Sequence, residues 1–78
     1  MFFNYIVQNL IDGVEQGTTA LRTSRALAVS DVIRIEQAGS VYGFFQVTAV
    51  DVVAGNILTI TALNVAPAGQ VTVAVVTN

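Results

Sequence analysis

From Ser30 onward, hydrophobic and polar positions alternate with the period of two that places successive side chains on opposite faces of a strand. In Asp31-Val32-Ile33-Arg34-Ile35-Glu36, Ile33 and Ile35 share one face and Arg34 and Glu36 the other, with Ser30-Asp31 as turn chemistry in front. Ala38-Gly39-Ser40 then leads into residues 41–50, rich in β-branched and aromatic side chains. Strict alternation there puts Phe45, Val47 and Ala49 on one face and Phe44, Gln46, Thr48 and Val50 on the other. Gly43 inside that run predicts a bulge or bend. Ala54-Gly55-Asn56 reads as a hairpin turn into residues 57–63, where Leu58, Ile60 and Ala62 point together. Pro67 and Gly69 mark a loop, and residues 71–77 form a last strand with Val71, Val73 and Val75 on one face.

The first thirty residues are less regular. Phe3, Ile6, Leu10 and Ile11 sit near helical spacing, whereas Phe3, Tyr5 and Val7 fit a strand, and no N-cap residue precedes them. The balance favours a strand or an extended arm. Asp12-Gly13 and Gly17 are turn signals, followed by a short strand over residues 18–23 and an irregular corner at Ser24-Arg25. The expected fold is therefore all-β: a small antiparallel barrel or roll of five to six strands, with residues 1–17 as strand or arm and 18–78 as the barrel of a single domain.

Composition narrows the chemistry. The 78 residues are 54% hydrophobic and carry five acidic and three basic side chains, where an average domain of this length has about 20 charges. With a mean hydropathy of +0.71, the chain has ample apolar surface to offset the entropy of ordering, which excludes ordinary disorder. It contains no His, Cys, Lys or Trp. A zinc, copper or iron site would lack its usual nitrogen and sulfur ligands. A Ser or Thr nucleophile would lack its usual base. No catalytic, cofactor-binding or metal residue is assigned, and a non-enzymatic role is expected. No disulfide can form, so a stapled extracellular module is excluded. Residues 1–10 lack the basic start and small-residue cleavage pattern of a signal peptide. Polar residues interrupt the long uncharged stretches 37–50 and 52–78, so neither reads as a membrane-spanning helix. The expectation is a soluble protein made in the cytoplasm, neither secreted nor transmembrane.

The succession Ala28-Val29-Ser30-Asp31-Val32-Ile33-Arg34-Ile35, Phe45-Gln46-Val47-Thr48-Ala49-Val50-Asp51, Asn56-Ile57-Leu58-Thr59-Ile60-Thr61 and Ala66-Pro67-Ala68-Gly69-Gln70-Val71 resembles the small SH3-like or OB-like β-barrel modules of tailed-phage virion proteins. The resemblance covers about two thirds of the chain, with Ser30 where a Gly-Asp pair is common. It implies a capsid-decorating, connector or tail-associated role, and hence a place in the virion.

Self-association follows from the apolar excess independently. A domain this small buries only about 60% of its chain surface and usually needs a disulfide, a metal or an oligomer partner. Two strands are apolar on both faces, one through Phe44, Phe45, Val47 and Val50, the other through Val73, Val75 and Val76. A monomer in water would keep one face polar. A homotrimer or homodimer docked on a larger protein lattice such as a capsid is expected. Candidate contacts are Phe2, Phe3, Tyr5 and Ile6 as apolar and aromatic anchors, with Arg22 and Arg25 at the rim. The alternative is an OB-like platform for single-stranded nucleic acid built from Arg22, Arg25, Arg34, Tyr42, Phe44 and Phe45. The net charge of −2 and three cations weigh against it. Asn9, Asp12 and Glu15 are oxygen ligands without the spacing of an EF-hand loop, and read as a surface turn.

Overall fold

The computed structural model describes residues 2–8 and 18–77. The turn at Asp12-Gly13, the helical spacing through Leu10 and Ile11, and the oxygen cluster of Asn9, Asp12 and Glu15 lie outside the described residues. Among the described residues the fold is all-β, with six strands: β1 (Phe3–Gln8), β2 (Thr18–Thr23), β3 (Val32–Gln37), β4 (Ser40–Asp51), β5 (Ile57–Ala62) and β6 (Thr72–Val76). They close into a barrel in the order β1-β2-β6-β3-β4-β5. Among the described residues no helix is long and apolar enough to cross a membrane.

The strand alternative at the N-terminus is realised. Phe3 packs against the core and Tyr5 and Val7 are buried in it, while β1 is a wall strand between β2 and β5. Residues on either side of the 17/18 division thus belong to one wall. The sheet is mixed, because β1–β5 and β3–β6 run parallel and the other seams are antiparallel. Two antiparallel pieces explain this: the β1–β2 pair and the β3-β4-β5 meander. Strand β6 joins them by lying between β2 and β3, and the barrel closes where β1 meets β5.

Interior positions follow the alternation on most strands. Leu21, Ile33 and Ile35 are fully buried, with Val7, Val47, Leu58, Ala74 and Val76 around them. Strand β4 departs from it twice, each time through an extra residue. Opposite Ile35-Glu36 the register skips Tyr42, with Gly43 at φ 138°, which is the bulge its glycine predicts. A second skip occurs at Thr48, since Val47 pairs with Ile60 and Ala49 with Thr59. That extra residue reverses the alternation. Val50, placed opposite Val47 by strict period two, packs against the core with it, and Ala49 faces out.

Residues 24–31 link β2 to β3 past the slot that β6 fills, and carry Leu27 into the core. The Leu27 amide donates to the Tyr5 hydroxyl at 2.8 Å, which satisfies a buried donor and fixes β1 to this link. The turn that follows has Asp31 N–H donating to Ala28 C=O at 3.1 Å, with Ser30 at φ 80°. That is type II geometry, whose third position favours glycine. The β1–β5 seam is fastened by Asn56: its C=O accepts from Ile6 N–H at 3.0 Å, and its side-chain amide donates to Asn4 C=O at 3.1 Å.

Three stability changes are expected from urea unfolding of purified variants. Tyr5→Phe leaves the Leu27 amide buried without an acceptor and destabilises by about 1–3 kcal/mol. Gly43→Ala, whose added Cβ would meet only the Phe45 ring at 3.7 Å, also destabilises by about 1–3 kcal/mol, through backbone strain and not through a clash. Ser30→Gly has the opposite sign: removing Cβ from a left-handed position stabilises by up to about 1 kcal/mol.

Candidate functional site

The outer face of the wall β2-β6-β3-β4 gathers side chains that a solvated strand would not carry. Strand β6 lies inside this wall and turns Ala74 and Val76 into the core, which leaves Val73 and Val75 facing out. Register fixes their neighbours. Val75 sits between Arg22 on β2 and Glu36 on β3. Val73 sits beside Arg34, which in turn lies beside Phe44 on β4. The outer surface therefore has two cross-strand rows, Arg22-Val75-Glu36 and Val73-Arg34-Phe44, two residues apart along the strands.

Within this surface Arg34 reaches along β3 to Glu36 at 3.0 Å, with both side chains about a third exposed or more. Such a pair contributes little to stability, but it orients the Glu36 carboxylate. The Arg34 Nε is buried and has no hydrogen-bond partner. Arg22 differs: among the described residues no carboxylate pairs with it, and its guanidinium lies over the Phe2 ring, 4.6 Å from the centroid. Phe2 is 60% exposed, so this cation–π contact stands on the surface.

The sequence-derived contact residues separate into three groups. Phe2 and Arg22 stand together on the outer surface. Ile6 faces outward on β1, opposite Ala20 and Ile57. Phe3 and Tyr5 turn inward, Tyr5 only 5% exposed, because odd positions of β1 line the core; neither projects as an anchor here. Arg25 lies at the entry to β6, its Nε donating to Thr72 Oγ1 at 2.7 Å and its guanidinium 3.8 Å from Asp31. The six-residue nucleic-acid platform is only partly assembled. Arg34 and Phe44 are neighbours, but Phe45 packs against the core and the Tyr42 hydroxyl donates to Gln37 Oε1 at 2.8 Å.

The six candidate contacts do not include Glu36, Val73 or Val75, although the sequence already points to the last strand, which holds both valines, as an interface. The signal for the valines is the apolar character of both faces of β6; Glu36 is, with Asp31 and Asp51, one of the acids that an arginine can pair with at a subunit boundary, and the register places it in a row that spans three strands. A second feature is a groove of about 400 Å³ beside the β1–β5 seam, lined by Val7, Gln8, Phe45, Ile57, Thr59 and Ile60 among others. Among the described residues no charged side chain lines it. Comparison of the chain with models of known protein families, with curated proteins and with solved structures returns no match.

Proposed function

We propose that this protein is a non-enzymatic structural subunit that works by apolar contact, associating with copies of itself and docking on a larger protein lattice as a virion decoration or cement protein. The observation that carries the reading is the outer face of β6. An interior strand of a closed barrel presents Val73 and Val75 outward, with exposed Phe2 stacked on Arg22 close by. Aromatic and arginine side chains around an apolar centre have the composition of energetically dominant interface residues. The virion assignment rests on the resemblance of the turn-and-strand rhythm to small tailed-phage barrels. In that role the mechanism is linkage: a subunit that binds the assembled lattice and not its free components stabilises the assembly by mass action.

Light scattering behind size exclusion, run at low and high salt over a range of concentrations, tests the first step. The expected result is a mass of two or three times 8.2 kDa; a monomer under every condition overturns self-association. The double variant Val73→Thr/Val75→Thr keeps β-branching, and hence strand propensity, while removing outward apolar surface. It is expected to weaken association about tenfold or more, while its unfolding midpoint matches that of the parent chain when both are measured at a dilution that leaves them monomeric.

A further inference from the structure

We infer that the outer wall pairs with a second copy of this chain as an isologous dimer whose two-fold axis runs parallel to β6 above Val75, so that Arg22 of each copy meets Glu36 of the other. This rests on the reading of the wall as a self-association surface and gives that surface a register. Strands in a sheet are about 4.8 Å apart. Arg22 and Glu36, one strand to either side of Val75, therefore have backbones about 10 Å apart and opposite charges. A two-fold axis along the strand exchanges the two sides of Val75 and puts each cation against an anion twice per dimer. An axis across the strands would set Arg22 on Arg22 and Glu36 on Glu36, and like charges exclude it. The same axis along β6 lays Val73 and Val75 of one copy on the same residues of the other.

The curvature of the barrel suits this arrangement. A closed barrel curves away on either side of β6, so the Arg and Glu side chains on the flanking strands need the greater length that they have over the valines between them. Arg22 has no carboxylate of its own among the described residues, and the Phe2 ring supports its guanidinium on the surface. Glu36 already holds Arg34 at 3.0 Å, and a carboxylate has about four acceptor sites, so a second guanidinium completes it without displacing the first. The apolar ridge supplies attraction, and the two charge pairs select the orientation.

Charge reversal tests this. Full-length Arg22→Glu and Glu36→Arg, each checked for folding by circular dichroism, are expected to lose association at least tenfold when measured alone by sedimentation equilibrium. Mixed in equal amounts they are expected to recover it to within about threefold, because in the mixed dimer position 22 of each copy again faces the opposite charge at position 36 of the other. If either reversed variant fails to fold, Arg22→Gln, Glu36→Gln and their double variant replace them; the inference then requires that the double change weaken association by less than the product of the single effects. A wild-type chain that self-associates while the variants match it, or while the mixture shows no recovery, overturns the two-fold arrangement and leaves the self-association reading intact. A wild-type monomer overturns that reading itself.

Discussion

The barrel depends on β6 fitting the slot between β2 and β3. Apart from it, among the described residues the β1–β2 pair and the β3-β4-β5 meander share strand pairing only where β1 meets β5, a ladder of two residues strengthened by Asn56. Strand β6 binds the other side of both pieces, antiparallel to β2 and parallel to β3. Its Ala74 and Val76 complete the core beside Leu21 and Ile35. With the slot filled, β2 and β3 have strand neighbours on both sides and their backbone groups need no other partner.

The same strand explains why the surface is apolar. A β-branched strand is favoured in a wall position by its fit to a pleated sheet, and Val73 and Val75 meet that demand whichever way they face. Polar residues of high strand propensity would meet it equally well on the outer face, as the threonines elsewhere in this chain show. Barrel closure alone therefore does not account for the outward valines. With few charges available, those flanking them are few enough to be described individually: one cation supported on an aromatic ring, and one ion pair along β3.

Much of the architecture was legible in the sequence because period two survives wherever a wall has one dry face. Ile33 and Ile35 share the interior as their spacing requires, and residues 18–23 form the short strand their composition suggests. Gly43 marked its bulge because only a residue without Cβ takes that backbone conformation readily. Thr48 gave no such sign, being an ordinary strand residue, so the reversed facing of Ala49 and Val50 was hidden. The parallel seams were hidden for another reason: alternation reports a strand's faces and says nothing of its neighbours. In the sequence the candidate surface is visible only as an excess of apolar residues, and Tyr5 falls within it because exposure and burial look alike on a strand whose facing is undetermined. Its hydroxyl, bonded to the Leu27 amide, is the polar handle that allows a tyrosine inside.

The position of β6 in chain order also bears on how the protein is made. The meander and the β1–β2 pair consist of strands adjacent in sequence, so their contacts form early, whereas β6 must find β2 across about fifty intervening positions. Until it does, β2 and β3 present unpaired edges to the surroundings. An identical strand from another nascent chain fits the slot as well as the chain's own, so crowding during synthesis raises the share of exchanged barrels. A slow final insertion thus makes yield depend on expression rate, with chilled, sparse production giving each chain time to complete its own wall.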